Sequence, residues 1–397
     1  MRVLVSTSAG EGHFGPLAPF ATALRDAGHD VAVAAPASFA GSVAAAGFEL
    51  RPFADVPRSL AGSVFAQLPN LSRHEADAIV GSDVFAGLNI AWALPALRRT
   101  VAEWRPDVIL REPTEYASYV LAQEFGIPQV LVPIGLAATT QMLADVAVER
   151  LSAFGAPDGC PGLTDGPTAT WMPASMEDPA VPGPERTRRY APTPAVQSAL
   201  PTARSLPDCW PGSALADHPL LYVSFGTVAA AIGFFPGVYR GVLDALDGLD
   251  VRVLITTGRA GDPTALGTLP PNVHAEQWVP QADVLAQTAV LISHGGYGTM
   301  LGALAAGIPQ VALPLFSGDQ YLNSARLRAT GAGIELDGPA SLPDVRGAIE
   351  RILAGDCTAT VARTVAAEIA AQEPLSTFPD YLTSILSDSG AQRCSQP

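Results

Sequence analysis

Two histidines in this chain stand inside glycine-rich stretches, where an imidazole can be brought close to a ligand. His13 lies in "SAGEGHFGP", residues 8–16, and His294 opens "HGGYGT", residues 294–299. An imidazole titrates near neutral pH, so its surroundings decide whether it acts as base, hydrogen-bond partner or charge. Glycines 10, 12 and 15 spell G-x-G-x-x-G after the apolar run "RVLVST". A dinucleotide site with that spelling needs an acid at the end of the second strand to hold the ribose hydroxyls. Here that strand ends in Ala34-Ala35-Pro36, and alanine accepts no hydrogen bond. The dinucleotide reading therefore fails. The plain alternative for His13 is a cap on a helix that begins near Pro16.

His294 has more around it. The segment His294-Gly295-Gly296-Tyr297-Gly298-Thr299 falls between a strand-like run and a helix-like one. Its glycines allow close approach, and a helix N-terminus offers unpaired N–H groups and partial positive charge. Those are the needs of a phosphate. The stretch has no P-loop lysine, and no D-x-D occurs in the chain to hold a metal diphosphate. A diphosphate here would be neutralised by the helix and His294, with no metal and no cofactor. Upstream, Trp278 offers a flat face to a nucleobase and Gln281 an amide to its edge, while Asp319 and Gln320 downstream can receive sugar hydroxyls. Packing is the plain alternative for Trp278, and a helix cap for Asp319.

The elements that must position these groups alternate. "RVLVSTS", "HDVAVAAP", "RPDVILRE" and "IPQVLVPIG" read as strands, and "PLAPFATALRDAG" as a helix ending at Gly28. "PLLYVSFGT", "VRVLITTG", "AVLISHGG" and "QVALPLF" follow later, with helices over about 297–306 and 320–329. Such alternation predicts parallel, doubly wound sheets. Between 156 and 219 prolines recur, at 157, 161, 167, 173, 179, 182, 184, 192 and beyond. Each removes a backbone donor, so this stretch predicts neither a long helix nor a central strand. The division expected is a first domain over 1–192, a linker over 193–218 and a second domain over 219–374. The last segment, 375–397, is expected to form a helix packing back on the first domain, plus a tail.

Composition narrows the class. The 397 residues are 48% hydrophobic and 15% charged, with net charge −15. A large core is available, and the acidity argues against nucleic-acid binding, which needs clustered Lys and Arg. Cysteines 160, 209, 357 and 394 form no C-x-x-C pair, which predicts a reduced, cytoplasmic chain without a zinc site. No uninterrupted run of 18 apolar residues is seen, so no membrane span is expected.

These stretches together resemble the nucleotide-sugar signature of GT-B glycosyltransferases, closest to actinomycete enzymes that decorate antibiotic aglycones. The resemblance runs through "GEGHFGPLAPFATALRDAGHDVAVAAP", "RRYAPTP", "YVSFGT" and "WVPQADVL…HGGYGT…GIPQVALPLFSGDQ…NSARL". It implies two facing Rossmann-like domains with a cleft between them, the sugar donor in the second and a small acceptor in the first, and inversion at the anomeric carbon. It implies His13 as general base, with Trp278, Val279 and Gln281 at the nucleotide base. Ser224, Gly226, Thr227, His294, Gly296, Gly298 and Thr299 fall at the diphosphate, and Asp319 and Gln320 at the sugar. The family's acid that orients the histidine has no plain counterpart. Glu112 is the candidate partner and Glu115 the runner-up, while Asp107 falls at the wrong end of its strand.

The activity expected is transfer of a sugar or deoxysugar from a TDP- or UDP-sugar to a largely apolar aglycone, by a monomer or homodimer. Residues 56–92, with Phe65, Leu68, Leu71, Phe85, Leu88 and Trp92, are candidates for the acceptor wall or for a packed helical pair. Two alternatives share the two-domain plan: a nucleotide-sugar 2-epimerase, and a non-catalytic nucleotide-sugar-binding partner of another transferase.

Overall fold

The computed structural model describes residues 1–68, 71–192 and 217–393; most of the expected linker, 193–216, and the last four residues lie outside the described residues. The chain forms two compact units. The first takes residues 1–172, 177–192 and the C-terminal segment from 372, and the second 173–176 and 217–371.

The first unit is built on an eight-stranded parallel sheet. Its strands are β1 (Arg2–Ser6), β2 (Asp30–Pro36), β3 (Glu49–Phe53), β4 (Val108–Arg111), β5 (Gln129–Leu131), β6 (Thr168–Thr170) and β7 (Thr187–Ala191), with β14 (Glu373–Pro374) joining from the far end of the chain. Their order is β14-β7-β6-β5-β4-β1-β2-β3. Helices cover both faces, so the inner strands β1 and β4 are buried along nearly their whole length, while β3 and β7 nearer the edges carry charged residues. On one face Leu4, Ala32 and Ile109 pack with Tyr116, Val120 and Leu97. On the other, Phe20 lies 4.2 Å from Trp171 and 4.6 Å from Phe378, centroid to centroid. Phe378 opens the helix Phe378–Arg393, which packs on the helix Glu11–Asp26.

Two sequence expectations change here, and one helix bears on a third. The prolines after 156 do not exclude interior strands: β6 lies between β5 and β7, and β7 between β6 and β14. These strands span only three and five residues, and Pro167, Pro173, Pro184 and Pro192 flank them without interrupting a ladder. The first helix begins at Glu11, not near Pro16, so His13 sits in its opening turn. Gly10 is the N-cap, and its carbonyl accepts from the N–H of His13 and Phe14. Third, a continuous helical run over 73–104 is, among the described residues, the one helix long and apolar enough to cross a bilayer by length and composition. Its middle, Val80–Asn89, is π-helical and packs against the helix Ala137–Ser152, while Ile90–Trp104 packs against β3 and the helix Tyr116–Phe125.

The second unit has a six-stranded parallel sheet. Its strands are β8 (Leu220–Ser224), β9 (Arg252–Thr256), β10 (Val273–Glu276), β11 (Thr288–Ser293), β12 (Gln310–Ala312) and β13 (Gly333–Glu335). The order is β10-β9-β8-β11-β12-β13. In each sheet the chain moves outward from one strand in one direction, then returns to that strand's other side and moves out again. The reversal falls between β1 and β4 in the first unit and between β8 and β11 in the second. Loops leaving the carboxyl ends of strands at such a reversal diverge and open a crevice.

Candidate functional site

Both histidines fall at these reversals. In the first unit β1 and β4 run in register, Ser6 beside Arg111, so the loops that follow them emerge together. The loop after β1 leads to His13 and the loop after β4 carries Glu112. Glu112 is fully buried, and its carboxylate accepts from the N–H of Ser8 at 3.0 Å and of Thr114 at 2.6 Å. The Thr114 hydroxyl lies 2.9 Å from both carboxylate oxygens. His13 Nδ1 stands 3.3 Å from Glu112 Oε1 and 3.1 Å from Thr114 Oγ1. Burial pushes the Glu112 pKa up, but the His13 charge and hydrogen bond and the two backbone N–H donors outweigh it and bring it to about 2. The result is a fixed anion beside Nδ1. The His13 side chain keeps 22% of its surface exposed, and the Phe85 ring of the π-helical turn lies 5.9 Å away.

The neighbouring charges have other work. Glu115 caps the helix Tyr116–Phe125, accepting from the N–H of Ala117 and Ser118, and burial raises its pKa. Geometry thus separates the two candidate acids. Arg111 is buried beyond the sheet, bonded to Gln129 and the Leu163 carbonyl, with its guanidinium over the Tyr119 ring. Asp107, at the other end of β4, accepts from the N–H of Arg2.

In the second unit β8 and β11 end side by side, Ser224 beside Ser293. The Phe225-Gly226-Thr227 turn and His294-Gly295-Gly296 therefore meet. Gly226 and Gly296 have a steric reason to be glycine: a β-carbon would come within 2.8 Å of the His294 ring at Gly226 and 2.5 Å at Gly296. At Gly295, φ is +78° and a β-carbon would strike Gln320 O at 2.9 Å. Among the described residues no carboxylate pairs with His294 as Glu112 pairs with His13. Burial lowers its pKa to about 4, opposed only by a hydrogen bond to the Ser224 backbone. At pH 7 it is a neutral hydrogen-bonding group. Gly296 is the N-cap of the helix Tyr297–Ala305, with Gly298 exposed and Thr299 half-buried in its first turn.

The remaining sequence candidates fall around this loop. Trp278 is half-buried after β10, and Gln281, opening the helix Gln281–Leu285, donates to Thr299 Oγ1 at 3.3 Å. Val279 packs against the apolar cluster of Tyr222, Leu285 and Leu291. Asp319 lies in the first turn of the helix Gly318–Thr330, against Ser317. Gln320 is buried, and its side-chain oxygen accepts from the N–H of Leu315 and Phe316. It shapes the loop that leads to Asp319.

Three residues went unremarked as site groups in the sequence: Ser8, Thr114 and Asn323. Asn323 donates to the Gly295 carbonyl at 2.8 Å and ties its helix to the glycine loop. Only the resemblance of "NSARL" marked that stretch. Among the described residues, no cluster of three or more His, Cys, Asp or Glu is placed to hold a metal ion.

Residues 22–158 match the family described as erythromycin biosynthesis protein CIII-like, N-terminal domain, and residues 240–378 match its C-terminal domain. Among curated proteins, the L-demethylnoviosyl transferase of Streptomyces niveus is 32% identical over 85% of this chain and 85% of its own length. The elloramycin glycosyltransferase ElmGT of Streptomyces olivaceus is 30% identical over 93% of both. Among solved structures, the glycosyltransferase SsfS6 of Streptomyces sp. SF2575, complexed with thymidine diphosphate, superposes with a TM-score of 0.74. That match covers 97% of this chain and 99% of the other at 23% identity, a likeness of fold.

Proposed function

The chain belongs to the erythromycin biosynthesis protein CIII-like family and is a glycosyltransferase, and from that premise we propose that it moves a deoxysugar from a TDP-sugar onto a hydroxyl of a small, largely apolar natural product, with inversion. UDP-sugar is the second donor class. The observation that carries the reading is the buried, ionised Glu112 set 3.3 Å from His13 Nδ1. A carboxylate there holds the ring and stabilises the imidazolium that forms when Nε2 takes the acceptor's proton. As the acceptor oxygen bonds to the anomeric carbon, the bond to the diphosphate oxygen breaks and the nucleoside diphosphate leaves as an anion.

The donor side is proposed to meet that anion without a metal. The N-terminus of the helix Tyr297–Ala305 presents N–H donors, and neutral His294 adds a hydrogen bond. Ser224, Gly226 and Thr227 form the opposite wall. Trp278 is assigned to stacking on the base with Gln281 at its edge, and Asp319 to the sugar hydroxyls. The TDP held by SsfS6 supports the choice of donor.

Thermal shift against TDP, UDP and a panel of their hexoses and 6-deoxyhexoses tests the donor class. TDP and TDP-deoxysugars should raise Tm, and EDTA should leave transfer intact. A panel in which no nucleotide raises Tm, or turnover lost to EDTA and restored by Mg²⁺, would overturn the reading.

A further inference from the structure

We propose that Thr114 is a positioning residue that fixes His13 in the tautomer with its proton on Nδ1 and its lone pair on Nε2. This rests on the reading of His13 as the base, and it follows from counting protons. Ionised Glu112 only accepts hydrogen bonds. The Thr114 hydroxyl has one proton and two lone pairs to distribute among four close atoms. Those atoms are the two Glu112 oxygens at 2.9 Å, Ser8 Oγ at 3.1 Å and His13 Nδ1 at 3.1 Å. A bond to an ionised acceptor is the stronger one, so the Thr114 proton goes to the carboxylate. Its two lone pairs then face Ser8 Oγ and His13 Nδ1, and each of those can donate. The count closes.

Nδ1 therefore faces two acceptors, Thr114 Oγ1 and Glu112 Oε1, and must carry a proton to satisfy either. In a neutral imidazole this leaves the lone pair on Nε2, the form a general base needs. The carboxylate by itself is the more distant partner, at 3.3 Å, and the same hydroxyl holds both of its oxygens. Removing the hydroxyl loosens both contacts to Nδ1 at once. Thr114 is 1% exposed and Glu112 0%, so a methyl group in place of the hydroxyl leaves no space there for a solvent molecule.

The test is nitrogen-15 NMR on the full chain labelled at histidine, with the His13 signals identified by their loss in His13→Gln. The neutral ring should appear as the Nδ1–H tautomer in the native protein and in Thr114→Ser. Thr114→Val, which keeps the shape and the backbone N–H bond to Glu112, should lose the single tautomer and show both. A native His13 protonated at Nε2 would overturn the proposal without any variant. So would a Thr114→Val protein that keeps the single Nδ1–H form, or a Thr114→Ser protein as disturbed as Thr114→Val. The readout needs no substrate, so it stands apart from the question of turnover: full transfer by His13→Ala would defeat the reading of the base and leave the tautomer result in place.

Discussion

His13 and His294 each follow a strand at the reversal point of its sheet, the first strand of the pair in one unit and the second in the other, and their surroundings make them opposites. His13 lies beside a buried anion kept ionised by the His13 charge and hydrogen bond and by the Ser8 and Thr114 N–H groups. His294 lies between two glycines, with no such anion among the described residues, and burial outweighs a hydrogen bond to the Ser224 backbone. A ring over a carboxylate can take up a proton and be stabilised for doing so. A buried ring without one stays neutral and can only share a hydrogen. One topology thus sets one imidazole beside a buried carboxylate and the other in a cage of glycines, depending on which side chain the neighbouring loop contributes.

The largest expected effect separates these roles directly. His13→Ala should lower turnover by about 10²–10⁴-fold, the usual contribution of positioned proton transfer. Affinity for TDP, measured by calorimetry, should stay within a factor of about two, because the phosphate groups are assigned to the other unit. If turnover and TDP affinity fall together, His13 is a ligand contact and the contrast between the histidines is lost.

Next in size is the acid sensitivity of the anion. The folded pKa of Glu112, about 2, lies below the ordinary value of 4.5 that it regains on unfolding. Its ionised form therefore stabilises the fold above pH 4.5, and that contribution disappears as the pH falls toward 2. At 1.36 kcal/mol per unit the full span is about 3 kcal/mol. Urea midpoints of the native protein and Glu112→Gln should converge as the pH drops from 6 toward 3. Burial, the main cause of the raised Glu115 pKa, is common to both proteins, and the smaller push from the Glu112 charge is lost in Glu112→Gln and belongs to the difference. Parallel curves would mean that Glu112 is not held ionised by its neighbours.

The smallest effect concerns the glycine cage. Gly296→Ala places a methyl group against His294 Nε2 and should cost about 1–3 kcal/mol, the usual range for overpacking. TDP affinity should fall with it while the His13 tautomer stays unchanged. TDP affinity equal to that of the native protein would show that the His294 ring position does not matter to the diphosphate.

Much of this was legible in the chain. Apolar runs such as "RVLVS", "LLYVS" and "TAVLIS" became the central strands β1, β8 and β11, because a strand covered on both faces must be apolar along its whole length. The glycine loop, both histidines, Trp278 and Gln281 were marked by type and spacing, since close approach and helix N-termini leave a local signature. The short strands β6 and β7 were hidden by the prolines around them, whose local rule says nothing of a three-residue gap. The helical start at Glu11 was hidden by Pro16 and Pro19, which this helix contains in its interior.

What only the tertiary structure decided is which side chains face each other. Glu112 and Glu115 lie in one short loop and no local rule tells them apart. The choice comes from the register of β1 against β4, which turns Glu112 to the histidine and leaves Glu115 to cap its own helix. Thr114 meets His13 across 101 residues of chain, through the same register. The sequence by itself determined the two sheets, their loops and the two imidazoles. The state of those imidazoles depends on partners brought together by strand pairing, and strand pairing is a property of the whole sheet.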